Sequence, residues 1–151
     1  MDKDDKTEDL VLDFGRAFWS DPPFRRGKQL DDLRRQNIPH NSRVIDRTDG
    51  HDMVSHKTTD LRCPTYKSGS RVYQLGMSFV RDLAAYKGEV RRNRKIKATY
   101  HLHWCIEENG RRTLEWFVPD ALTAAQEEAL AAVVRDALPL GVAVLVFKVA
   151  L

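Results

Sequence analysis

Residues 44–61 read VIDRTDGHDMVSHKTTDL. Two short apolar runs flank a Gly-containing turn, TDGHD, and that is the pattern of a β-hairpin. Strands are expected over SRVIDR and MVSHKT. Side chains alternate along a strand, so Ser55 and Lys57 share one face while Val54 and His56 share the other. Asp46 sits at the end of the first apolar run. With the turn centred between Gly50 and His51, Asp46 lies opposite Ser55, on the face of Lys57. With the turn centred between Asp49 and Gly50, it lies opposite Met53, on the same face but farther from Lys57. A one-residue slip moves it to the other side. The hairpin alone therefore allows two readings. One is a surface Asp–Lys pair that adds little stability; the other is a site that needs an acid and a lysine together.

The 151 residues fit a single domain over 1–151. A chain of this length buries enough surface to build a core without staples. No apolar run approaches the ~18 residues of a membrane span. The start, MDKDDKTEDL, is acidic and polar, the opposite of a signal peptide. Cys63 and Cys105 make no disulfide framework, and free thiols in a reducing compartment are expected. A net charge of +3 does not by itself call for a nucleic-acid partner. The distribution says more. KGEVRRNRKIK (Lys87 to Lys97) is densely basic, FRRGK and LRR add smaller clusters, and acids gather at the N-terminus and in AAQEEAL. Each cluster alone reads as a solvated face, but several together suit a phosphate backbone.

Apolar periodicity predicts an N-terminal helix within residues 1–20, with Leu10, Val11, Phe14 and Phe18 at helical spacing, stopped by Asp21-Pro22-Pro23. A core over 24–151 follows. It opens with a second helix from about Phe24 to Gln36, with Leu30 and Leu33 inward. RVYQLGMSFVRDLAAYKG predicts a helix ending at Gly88 as a C-terminal glycine. KIKATYHLHWCIEE and RRTLEWFVP flank Asn109-Gly110, a strong hairpin signal. TAAQEEALAAVVRDAL has Thr123 and Gln126 in the spacing of a capping box. VAVLVFKVAL, after Gly141, reads as a strand buried on both faces. The expected order, ααββαββαβ, is that of an α/β or α+β domain with a mixed sheet flanked by helices.

A hard divalent cation takes carboxylate oxygens. Asp46 alone is too few, but the second helix offers Asp31 and Asp32 after Arg26-Gly27. Carboxylates from a helix and a strand end, beside a lysine, suit metal-assisted phosphodiester hydrolysis. RGKQLDDL, then VIDRTDGHDMVSHKTTDL with a tyrosine soon after, resembles the C-terminal nuclease toxins of contact-dependent inhibition systems, in the PD-(D/E)XK, restriction-endonuclease-like superfamily. That family's pattern is a helix with Arg-Gly and an Ile-Glu pair, an acid at a strand end, and an S-Φ-K-(S/T)-x-D strand. The tail is similar too: a strand ending in proline, a T-x-x-Q helix and a Gly-Val strand. The resemblance spans roughly residues 24 to 151.

Carried over, Asp31 stands for the helix glutamate and Asp46 for the strand-end ligand, the two that would hold Mg²⁺ or Mn²⁺. Ser55 stands where a classical site has its second acid, and Lys57 is the lysine that handles the attacking water. Asp60 matches the family's downstream Asp. Two departures stand out: Asp31 is one methylene shorter than glutamate, and His56 replaces the usual apolar residue between Ser55 and Lys57. Arg26, Arg91, Arg92 and Arg94 are the candidate substrate contacts. The resemblance implies a toxin that cleaves nucleic acid in the bacterial cytoplasm, RNA and tRNA ahead of DNA. It also implies a cognate immunity protein and delivery within a larger secreted protein. The alternative is a nuclease-like fold without catalysis, binding nucleic acid or protein.

Other constellations are weaker. HLHWC places His101, His103 and Cys105 on one strand face, with ligands that suit zinc. No second pair with convincing spacing completes such a site, so zinc is not the expected metal. His51 and His56 flank the hairpin site as loop or packing residues, with proton donation as a possible role for His56. Tyr66, Tyr73 and Tyr100 could stack on bases, although Tyr73 also fits beside a helix core. GxGxxG, Walker A, GxSxG and HExxH motifs are absent from the sequence.

Overall fold

The computed structural model describes residues 11–12, 18–33, 44–49, 52–86, 88–93, 98–103 and 111–151. Its main sheet has five strands: β1 (Val11–Leu12), β2 (Arg47–Asp49), β3 (Asp52–Thr58), β6 (Arg112–Pro119) and β7 (Val142–Val149), in the order β1-β7-β6-β3-β2. Strands β3, β6, β7 and β1 run parallel, and β2 pairs antiparallel with β3. Strands β4 (Gly88–Asn93) and β5 (Ala98–His103) form a separate antiparallel pair. The helices are α1 (Pro23–Leu33), α2 (Gly69–Ala85) and α3 (Ala124–Ala137). Among the described residues, no helix is long and apolar enough to cross a membrane.

The sheet separates two apolar clusters. Leu114, Trp116 and Val118 of β6, with Val142 and Val144 of β7, meet α2 and α3. The two helices bury Val72, Met77, Val80 and Leu83, and Leu130 and Val133, at helical spacing. Gly76 allows the close approach: a Cβ there would lie 2.6 Å from the Trp116 ring and 2.7 Å from Val133. On the opposite face, Phe18 and Trp19 pack on Phe117 and Val149, with Phe147 stacked on Phe117. The α1 helix lies on this second face, because Arg26 reaches Thr58, which is in register with Phe117.

Local signals explain several elements. Ser68 caps α2 by accepting from the Arg71 N–H. Thr123 and Gln126 form the expected capping box on α3. Gln126 then donates to the carbonyls of Leu61 and Tyr66 at 2.8 and 2.9 Å, fixing the segment that leaves β3.

Other expectations need correction. Val11–Leu12 are a strand on the edge of β7 and 18–20 a turn, where spacing predicted a helix. Val11 and Leu12 pair with β7, and Phe18 and Trp19 pack in the second cluster; Leu10 and Phe14 of the expected helical stripe lie outside the described residues. Pro23 opens α1 instead of stopping a helix, since proline fits a first helical turn. That helix is described from Pro23 to Leu33, and the expected last residues up to Gln36 lie outside the described residues. Tyr86, not Gly88, follows the last turn of α2, and Gly88 begins β4. Asn109-Gly110 and the residues before them lie outside the described residues, and among the described residues β5 and β6 on either side are not paired with each other. Instead β5 pairs with β4, and β6 lies between β3 and β7. Finally, β7 is not buried on both faces: Val142 and Val144 are buried, but Ala143 and Leu145 are exposed.

Candidate active site

The β2–β3 ladder pairs Arg47 with Val54, Thr48 with Met53 and Asp49 with Asp52. This is the register of a turn centred between Gly50 and His51, two residues outside those described. The described ladder stops at Arg47–Val54, while β3 continues to Thr58. Asp46 sits at that branch point. Its N–H donates to the Val54 carbonyl at 2.8 Å, and its Oδ2 accepts from the His56 N–H at 2.7 Å. The carboxylate thus takes over from the ladder where the two strands separate.

Beyond the branch, β3 sends alternate side chains to the two sheet faces. Ser55 is in register with Leu114 and Lys57 with Trp116, which puts both toward α2. Ser55 is buried, and Lys57 is half-buried with Nζ 5.6 Å from the centroid of the Phe79 ring on α2. His56 faces the other way, in register with Glu115, and its Nε2 lies 3.3 Å from Glu115 Oε1. Both side chains are almost completely enclosed.

The remaining described candidates lie on α1, in the segment after β3, and on β4, β5 and α2. Asp31 lies on α1, and its side chain is outside the description. Arg26, expected to meet substrate, is instead buried. Its Nη1 donates to the Asp21 carbonyl at 2.8 Å, its Nε points to Thr58 Oγ1 at 3.4 Å, and it stacks over Trp19. These contacts make it an anchor of α1 on the sheet. Asp60 is held by Arg62, which donates from its backbone N–H, Nε and Nη2. The Arg62 guanidinium holds the Asp60 carboxyl below its ordinary pKa, against the opposing effect of partial burial. Arg91 and Arg92 are on β4, in register with Tyr100 and Thr99. Arg94, His51 and Cys105 lie outside the described residues. His101 and His103 are in register with Val90 and Gly88. Tyr73 donates to Asp136 on α3 at 2.7 Å, a helix-to-helix bond.

Carboxylate oxygens are the donors that a hard divalent cation takes, and Oδ2 of Asp46 accepts the His56 N–H. The buried Glu115 was missed in the sequence. Its signal was there, an acid inside the apolar run LEWFV, but the Asn-Gly reading placed that strand beside the wrong neighbour.

The family described as "CDI toxin restriction endonuclease-like domain" matches residues 26–147, most of the chain. The chain belongs to that family. The CDI toxin family match covers α1 from Arg26 onward, the branch at Asp46, and the chain from there to Phe147 in β7, leaving out β1. Among solved structures, the chain is similar to one in a "CdiA-CT/CdiI toxin and immunity complex from Yersinia pseudotuberculosis". The TM-score is 0.58 at 18% identity, covering 78% of this chain and 96% of that one. At that identity the likeness establishes the fold, which is restriction-endonuclease-like: a parallel three-strand core flanked by helices. No curated protein matches the chain.

Proposed function

We propose that this CDI nuclease-like toxin domain hydrolyses phosphodiester bonds with the help of a divalent cation. The observation that carries the reading is the branch itself. Asp46 stands where β2 leaves β3, and the next two positions facing α2 are Ser55 and Lys57. Helix α1 contacts β3, and Asp31 on that helix is the residue proposed as the second acid.

Asp31 and Asp46 would hold Mg²⁺ or Mn²⁺, which supplies Lewis-acid polarisation of the phosphate and a more acidic water. Lys57 orients the attacking water and offsets charge developing on the phosphate, because its ammonium carries three donors. Ser55, buried behind it, supports the lysine's strand face. The Arg26 anchor fixes α1, and with it Asp31, against the sheet. The substrate proposed first is RNA, tRNA in particular, with DNA second. Arg91, Arg92 and Arg94 are proposed to follow the phosphate backbone, which positions a strand without reading its sequence.

The solved relative was captured with its immunity protein. A cognate immunity protein is accordingly the partner proposed here, with action in the cytoplasm of a target bacterium after delivery within a larger secreted protein. Induction in bacteria tests the function. The wild-type domain should arrest growth, and Lys57→Ala should relieve the arrest. Arrest by both would favour the other reading, a nuclease-like fold that acts by binding, for which Asp31 in place of the family's glutamate speaks.

A further inference from the structure

A lysine side chain has four rotatable bonds and loses much rotamer freedom when it is held in one place. To act on a phosphate or a water, something must hold it. A carboxylate would do so by pairing with its charge, and would then compete with the substrate. Lys57 has a different neighbour: its Nζ lies over the Phe79 ring at 5.6 Å. The ring's negative face attracts an ammonium without neutralising it, and the N–H donors stay available.

Phe79 is itself fixed. It meets Trp116 edge-on, with centroids 5.6 Å apart and planes at 89°. Trp116 is fully buried, and its indole N–H donates to Thr59 Oγ1 at 3.0 Å. The Thr59 N–H in turn donates to the Phe117 carbonyl at 3.0 Å. Gly76, one turn before Phe79, lets α2 press its backbone against the same Trp116 ring. A chain of contacts therefore leaves the end of β3, passes through Trp116 and Phe79, and returns to Lys57 on the same strand.

We propose that Phe79 is a positioning residue that holds the Lys57 ammonium in its working place through a cation–π contact. The consequence for turnover rests on the nuclease reading above; the contact itself does not. The test compares the wild-type domain with Phe79→Tyr, Phe79→Leu and Phe79→Met, after thermal melting shows which variants fold. Methionine fills the space flexibly and covers the case in which leucine does not fold. Side-chain NMR of Lys57 should show its ε-methylene protons shifted upfield by the ring in wild type and Phe79→Tyr, and unshifted in the two aliphatic variants. Turnover at saturating substrate should fall about fivefold in the aliphatic variants, with KM little changed, and be retained in Phe79→Tyr. An unshifted Lys57 in wild type would overturn the proposal. So would aliphatic variants that turn over at the wild-type rate, or a Phe79→Tyr as slow as Phe79→Leu. A wild-type domain that cleaves nothing would remove the nuclease reading, and the NMR comparison would still decide whether Phe79 holds the lysine.

Discussion

Asp46 carries a structural task beside the chemical one proposed for it. Its carboxylate accepts the His56 N–H at a point where the ladder no longer supplies a carbonyl. Asp46→Ala leaves that donor in a part-buried strand without its acceptor, and should cost about 1–3 kcal/mol. Asp46→Asn keeps an acceptor of the same reach and should melt near the wild-type temperature, while both variants lose cleavage. Equal melting temperatures for Ala and Asn would show that the accepted hydrogen bond does not matter. Strand alternation was enough to place Ser55 and Lys57 on one face. The Asp46 bond to a backbone amide was not legible, because a side chain that replaces a ladder carbonyl leaves no periodic trace. Asp60 gives a pH-dependent expectation. Its carboxyl is held below the ordinary aspartate range chiefly by the Arg62 hydrogen bond. Such a group adds stability above the unfolded value, near pH 4, and loses it as pH falls through the lowered folded value. Arg62→Ala should therefore be less stable than wild type at neutral pH, with the difference shrinking on acidification. Urea midpoints from pH 7 to pH 2 measure this, and a difference constant with pH would contradict it.

At the level of elements, packing of α2 on the sheet turns on one missing methyl group. Gly76→Ala would drive a Cβ into Trp116 and Val133. Overpacking of this kind costs about 1–3 kcal/mol, so the urea midpoint should drop with the slope unchanged. A midpoint equal to wild type would mean that α2 shifts freely, and that the Trp116–Phe79–Lys57 chain is softer than described. Helices α2 and α3 were legible because their caps and apolar spacing are local. Strand β6 was misplaced because Asn109-Gly110 is also a local signal, whereas the pairing of β6 with β3 and β7 joins residues some 30 to 60 positions apart. The same error hid Glu115, whose partner His56 is on β3. Near the N-terminus, helical spacing and a short edge strand ask for similar residues. The unpaired edge of β7 decided in favour of the strand.

For the whole molecule, the described part of the long basic segment, Gly88–Asn93, forms one strand of a two-stranded ribbon. Arg91 and Arg92 lie within β4, paired with β5 apart from the main sheet. Replacing Arg91, Arg92 and Arg94 together by Gln should weaken nucleic-acid binding. It should also flatten the salt dependence by about one unit of slope for each phosphate that is no longer neutralised. Turnover at saturation should change less than affinity, and an unchanged salt series would move the substrate path elsewhere. The most direct test of the central claim is a cleavage assay with purified domain on tRNA and on linear DNA. It should be run in Mg²⁺, in Mn²⁺ and in EDTA, beside Lys57→Ala of matched melting temperature. Cleavage is expected with either metal, and should disappear in EDTA and in the Lys57→Ala variant. Cleavage that persists in EDTA, or that Lys57→Ala performs at the wild-type rate, would contradict a metal-assisted site built on Asp46 and Lys57.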